Sequence, residues 1–345
     1  MLNAAVRLHL NEMPYPPPDD VVQAAREGLY DLNRYTAGEE SSLRSLLAEY
    51  VEVPEDSVFV GPGSEPLLRE MIQSFAPQRK VIMVSPSFFP TAGAARETAA
   101  RFVSIRLKLP DFSLPVPVLL DEPDGPSLVI IDSPNNPTGK LLLERRTVEA
   151  LLKHRQTIVV IDEAYAEFSG ESLVDLTREH ANLAVARTMD KAFSLAGIRI
   201  GYVVAGAVFA RPLSRLSMFL PRPSLRVAVE ALKDRGYVEK NIAAVLEERR
   251  RVAAGLSSLG ADVLPSSTNF LFVRAALPDM AARLGENGVM VADLSHQMPP
   301  GCIRVSIGTP EENHAFLNAY RSILEASSTA SSDPAGTHGG SGETH

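Results

Sequence analysis

A single cysteine, Cys302, stands in 345 residues, so no intrachain disulfide can form and nothing calls for an oxidising compartment. Positive charge is also short. The 34 Lys and Arg face 42 Asp and Glu, a net charge of −8. That argues against nucleic acid or an anionic membrane as the main partner. No apolar run approaches the roughly 20 residues that a spanning helix needs. Residues 1–20 lack the basic start and apolar core of a signal peptide. Zinc-type Cys/His clusters are missing, and the seven histidines are scattered or lie near the end. These absences point to a soluble, cytoplasmic chain of ordinary globular composition, 45% apolar and 22% charged.

No internal repeat is visible. Between residues 57 and 205, short apolar runs end in turn chemistry and are followed by helical stretches. The runs are SVFV (57–60), KVIMV (80–84), SLVII (127–131), TIVVI (157–161), NLAVA (182–186) and IRIGYVVA (198–205). They are apolar on both faces and rich in β-branched residues, like central strands of a mostly parallel sheet. Strands alternating with helices predict a doubly wound α/β domain whose ligands sit beyond the carboxyl ends of the strands. Residues 224–259 read as helix interrupted near Gly236. NFLFV (269–273), GVMVA (288–292) and CIRVSI (302–307) then read as short strands. Thr309, Pro310 and Glu312 form a capping box that opens a last helix. The proline-rich LNEMPYPPPDD leads into a helix near 19–29. The expected division is an N-terminal segment (1–30) on a smaller α+β domain (223–326), beside a large α/β domain (31–222). A Ser/Thr/Gly/Pro-rich tail (327–345) is too polar to bury a core.

The chemistry lies just after those runs. Lys191 sits in ARTMDKAFSLAGIRIGY (186–202), in a polar turn between two apolar runs. A lysine in a turn is ordinarily solvated. Held between buried strands it loses hydration, its pKa falls and its amine becomes nucleophilic. Arg199, eight residues on, is the usual kind of partner for a phosphate. The two suit a Schiff-base lysine that holds pyridoxal phosphate. Asp162 follows five apolar residues in IVVIDEAY. An acid there is costly unless it caps a helix, meets a cationic side chain, or faces a protonated pyridine nitrogen. Tyr165 is either a packing residue or a hydroxyl aimed at the ring oxygen. Asn136, in the turn SPNNPTG (133–139), can offer its amide to the same oxygen. VFVGPGSEPLLREMIQSF joins strand to helix through a glycine-rich turn, which is either a plain turn or a set of backbone N–H groups and a helix N-terminus offered to a phosphate. It fits neither the dinucleotide fingerprint, because Pro66 takes the third glycine's place, nor the Walker pattern. Arg274 and Arg304 border short strands and suit an anion fork, though each alone reads as a surface residue.

With these residues in hand, the sequence resembles the fold-type I, class I/II aminotransferases, and within them the histidinol-phosphate aminotransferase branch. The resemblance spans residues 8–325 and rests on LNEMPYPPP, NRYTAGE, GPGSE, SPSFF, SPNNPTG, VIDEAYAEF, RTMDKAFSLAGIRIGY, STNFLFVR and CIRVSIGTPEEN, in that order. It implies the aspartate aminotransferase-like fold, pyridoxal 5'-phosphate as cofactor, and an amino donor and a keto acid as substrates in a ping-pong reaction. Lys191 would carry the cofactor and then move the proton. Asp162 would pair with the pyridine nitrogen, Asn136 and Tyr165 would hold the ring oxygen, and Phe88 would stack on the ring. Gly63, Ser64, Thr188, Asp190 and Arg199 would surround the phosphate. Tyr35 would reach the cofactor of a partner subunit in a homodimer. Arg304 would clamp the substrate's anionic end, with Arg274 and Tyr15 at its distal or phosphate end.

Three departures stand out. Asp190 occupies a place where the family usually has Ser or Thr donating to the phosphate. Gly63-Ser64-Glu65-Pro66 replaces the usual Gly-(Ser/Ala)-Asp-Glu turn, with Pro66 expected at a helix N1 position. Ala292 stands where many relatives carry arginine. These differences predict a paralogue with a shifted substrate. A pyridoxal-phosphate decarboxylase of a phosphorylated amino acid, an oxidase, and a non-catalytic protein on the same scaffold remain alternative readings at this point.

Overall fold

The structure, a computed structural model, describes residues 5–214 and 220–331. Among these residues the strands are β1 (Val6–Leu8), β2 (Val58–Gly61), β3 (Lys80–Ser85), β4 (Arg101–Arg106), β5 (Ser127–Asp132) and β6 (Thr157–Asp162). There follow β7 (Leu183–Thr188), β8 (Gly201–Ala205), β9 (Asp262–Val263), β10 (Phe270–Arg274), β11 (Val289–Asp293) and β12 (Cys302–Ser306). They form a seven-stranded sheet, β2-β8-β7-β6-β5-β3-β4, and a five-stranded sheet, β1-β11-β12-β10-β9.

The large sheet is parallel from β7 through β6, β5 and β3 to β4, as the two-faced apolar runs predict. Side chains alternate along each strand, so Leu128 and Ile130 of β5 enter one core while Val129 and Ile131 enter another. Each such side chain contributes roughly 1.5–3 kcal/mol by leaving water. The edge strand β4 was not among the runs read from the sequence; Arg101, Ser104 and Arg106 are exposed on it and break up its apolar signal.

β8 differs from expectation in length and direction. It starts at Gly201 rather than Ile198, and it runs antiparallel to both β7 and β2. Arg199 has a φ of 62°, which ends extended backbone there. The chain turns back through residues 189–200, closed by Met189 N–H donating to Ile200 O at 2.9 Å.

The smaller sheet takes its edge strand from the far end of the chain: β1 pairs in parallel with β11, Val6 opposite Val289. Helices Arg222–Lys233 and Gly236–Ser258 agree with the break expected near Gly236. The capping box at 309–312 forms, with Thr309 N–H donating to Glu312 Oε2 at 2.8 Å and Glu312 N–H to Thr309 Oγ1 at 3.2 Å. That helix runs from Pro310 to Ser331, so the first five residues of the expected unfolded tail are helical. Ser327 and Ser328 donate back to the carbonyls of Ile323 and Glu325, and Arg283 donates to Ser327 Oγ at 3.2 Å. The remainder of the tail lies outside the described residues. No helix among them is long and apolar enough to cross a membrane.

Gly201 is where two elements meet most closely. A Cβ on it would lie 2.3 Å from both Gly63 C and Ser64 N. Backbone cannot yield there as a flexible side chain could. Gly201→Ala is expected to destabilise the protein by about 1–3 kcal/mol, read by urea denaturation, and to displace the Gly63–Ser64 turn; an unchanged midpoint would mean that this packing is looser than described.

Candidate active site

The parallel strands β3, β5, β6 and β7 all end on one side, and each end is polar. Ser87, Asp132, Asp162 and Thr188 border a cavity of about 420 Å³ there. Its opposite wall comes from the smaller sheet, through Ala292, Asp293 and Arg304, and its roof from His9, Leu10 and Asn11. The size is that of a small-molecule site.

Lys191 reaches into this cavity from the turn after β7, and its Nζ donates to Leu10 O at 3.1 Å. Burial and the nearby Arg304 guanidinium lower its pKa to about 8. Asp162 closes the floor. Burial first, and then the Asp132 carboxylate on the next strand, push its pKa up to about 7. Its Oδ1 accepts from Ala164 N–H at 3.1 Å. An acid in such a place favours a ligand that brings positive charge.

Two rims surround Lys191. On one, Asn136 Oδ1 accepts from Arg304 Nη1 at 2.6 Å, and Arg304 Nη2 donates to His9 O at 2.7 Å. Arg304 Nε is buried without a partner, and no carboxylate among the described residues lies within ion-pair distance of that guanidinium. Tyr165 accepts from Asn11 Nδ2 at 2.8 Å, and burial pushes its pKa up to about 12. On the other rim lie Ser64, Thr188, Asp190 and Arg199, with Gly63 alongside. Gly63 has a φ of 108°, and a Cβ there would meet Arg199 Nη2 at 2.7 Å, so the position suits glycine. Helix Ser64–Phe75 starts at this point, and its first two residues, Ser64 and Glu65, border the cavity. Pro66 is the third residue of that helix, not the first. Asp190 lies inside the rim, paired with Arg199. Phe88 borders the cavity between the rims.

Three expected residues lie elsewhere. Arg274 shares a face of the sheet with Arg304 but sits further along, opposite Cys302. There it pairs with Asp262 and the Pro110 carbonyl and lies over the rings of Phe112 and Phe272. It is a clamp between segments, not a cavity residue. Tyr15 is half-buried near Glu248, Glu311 and Glu312, which together with burial raise its pKa, and it does not border the cavity. Tyr35 is 80% exposed on the outer surface.

Sequence reasoning missed Asp132 and Asn11. Asp132 accepts four hydrogen bonds: Ser87 Oγ (3.0 Å) and Asn135 Nδ2 (3.0 Å) on Oδ1, and Asn136 N–H (2.9 Å) and Phe88 N–H (3.3 Å) on Oδ2. Burial pushes its pKa up while these donors pull it back. The signal that drew attention to Asp162, an acid ending an apolar strand, was present here as well. Asn11 has a φ of 55°; Ser306 and Asn269 bond its backbone and side chain. Nothing in its local sequence announces that role.

The family model described as aminotransferase class I and II matches residues 4–319. A histidinol-phosphate aminotransferase of Corynebacterium efficiens is 36% identical over 341 residues, covering 93% of this chain and 90% of that one. One from Thermobifida fusca is 37% identical, covering 90% and 88%. Among solved structures, histidinol-phosphate aminotransferase from Sinorhizobium meliloti in complex with pyridoxal-5'-phosphate superposes with a TM-score of 0.84. It is 22% identical and covers 93% of this chain and 91% of that one, a likeness of fold.

The raised pKa of Asp162 has a thermodynamic sign. Without a cationic ligand the folded protein keeps the proton up to about pH 7, whereas the unfolded chain releases it near 3.8. The unfolded state therefore binds fewer protons in that window, and stability falls as pH rises through it. Asp162→Asn is expected to stabilise the ligand-free protein at pH 8, by up to about 4 kcal/mol, with the gain vanishing toward pH 4. Denaturant melts at a series of pH values decide this; a variant less stable at every pH would mean that the carboxylate has a cationic partner.

Proposed function

Because the chain belongs to the class I and II aminotransferases, pyridoxal-phosphate-dependent enzymes, we propose that it moves an amino group between a phosphorylated amino alcohol of the histidinol-phosphate kind and a keto acid. The observation that carries the substrate class is Arg304, a half-buried guanidinium at the cavity whose Nε is buried with no partner among the described residues. A cation kept in that state is ready for an anionic substrate group.

The residues present fit the cofactor. Asp162 is a buried acid awaiting positive charge, and Gly63, Ser64 and Arg199 line a turn that admits a phosphate where a side chain would obstruct it. When bound, pyridoxal phosphate supplies an electron sink that makes the substrate's α C–H acidic. Lys191 Nζ is the attachment point and afterwards the base that takes and returns that proton. A pKa of about 8 leaves part of the amine neutral at physiological pH. Asp162 would keep the pyridine nitrogen protonated, Asn136 and Tyr165 would hold the ring oxygen, and Phe88 would stack on the ring. Gly63, Ser64, Thr188 and Arg199 would hold the phosphate, with Asp190 beside them. Arg304 orients the substrate through its anion, while Leu10 and Asn11 limit water above Lys191.

The exposure of Tyr35 on the outer surface is what supports a working homodimer in which it would reach a partner's cofactor, as the family resemblance implies. Two lobes, residues 31–222 and 223–326, with residues 1–30 on the smaller, are our reading of the domain division. A cytoplasmic location agrees with the lone buried Cys302.

The test is the visible spectrum of the purified protein with a panel of donors: histidinol phosphate, glutamate and aromatic amino acids. A donor of the proposed class should bleach the yellow band, and Lys191→Ala should abolish both band and bleaching. Arg304→Met is expected to lower kcat/KM about a hundredfold, mainly through KM. Release of carbon dioxide or peroxide in place of amino transfer would overturn the reaction proposed. Histidinol phosphate proving best by a wide margin would remove the expectation of a shifted substrate.

A further inference from the structure

Arg199 enters the cavity beside Gly63 and Ser64, where the chain offers itself to a phosphate. Its guanidinium already holds an anion, because Nη1 donates to Asp190 Oδ2. Asp190 is fixed in place: it is 6% exposed, and its N–H donates to Thr188 Oγ1 at 3.0 Å. Its other oxygen, Oδ1, is buried without a partner. Glu65, which also borders the cavity, turns toward Arg69 at 3.0 Å. Pro66 removes one N–H from the helix start. The rim thus sets one guanidinium and one helix N-terminus, worth about half a charge, against a full carboxylate.

Resting on the cofactor reading above, we propose that Asp190 competes with the cofactor's phosphate for Arg199 and thereby makes this chain a loose holder of the aminated cofactor. A carboxylate and a phosphate dianion that share one guanidinium repel each other across a few ångströms of partly desolvated space. The aldehyde form withstands this because it is bonded to Lys191 Nζ. The aminated form has no such bond and depends on the phosphate grip alone. It therefore exchanges with aminated cofactor free in solution, and only the bound fraction passes its amino group on to the keto acid.

The experiment uses the full chain freed of cofactor, as wild type, Asp190→Ser and Asp190→Asn, titrated with pyridoxal 5'-phosphate and with pyridoxal. Both variants should bind the phosphorylated ligand at least about tenfold more tightly than wild type, with pyridoxal affinity unchanged. Each protein is then loaded with pyridoxamine 5'-phosphate and desalted. Wild type should emerge stripped and Asp190→Ser loaded, as read from bound absorbance. Equal retention by the two proteins would overturn the proposal. So would variants that bind both aldehydes more weakly, since Asp190 would then support the rim. If wild type forms no borohydride-fixed bond with either aldehyde, the failure belongs to the aminotransferase reading and not to Asp190.

Discussion

The cavity depends on one buried carboxylate. Asp132 ties together the segments that leave two neighbouring strands: residues 87–88 after β3, and residues 135–136 after β5. Each segment carries a residue that lines the cavity, Phe88 on one and Asn136 on the other. A carboxylate at this depth is unfavourable unless its oxygens are satisfied, and four donors from two loops satisfy them. The spacing between Phe88 and Asn136 across the cavity follows from that requirement.

Around this hub the protein keeps several charges in uncomfortable states. Asp162 resists ionising, Lys191 gives up its proton easily, and Arg304 Nε has no partner among the described residues. Each condition costs folding stability and each is relieved by a ligand of the right charge. Two buried cores on the faces of the large sheet supply the surplus that tolerates them.

The sequence disclosed the strands that are apolar on both faces, the capping box, the broken helix and most of the polar strand ends. Local patterns of that kind carry their own physics. It was less informative where position depends on distant partners. Arg274 and Arg304 both border short strands, yet only contacts from Pro110, Phe112 and Asp262 show that the first is a clamp. Asn11 owes its place to Tyr165, Asn269 and Ser306, which lie more than 150 residues away. The shortening of β8 came from a single left-handed residue, Arg199, in an otherwise strand-like run.

The roof of the cavity is also a matter of chain geography. β1 is a three-residue edge strand, and His9, Leu10 and Asn11 follow it directly over Lys191. Anything fused ahead of Val6 is therefore joined within a few residues of the cavity, through a short edge strand of the smaller sheet. A purification handle or reporter placed there would pull on the roof, whereas one beyond the long final helix would not. For this molecule, the end chosen for a tag is a choice about the active site.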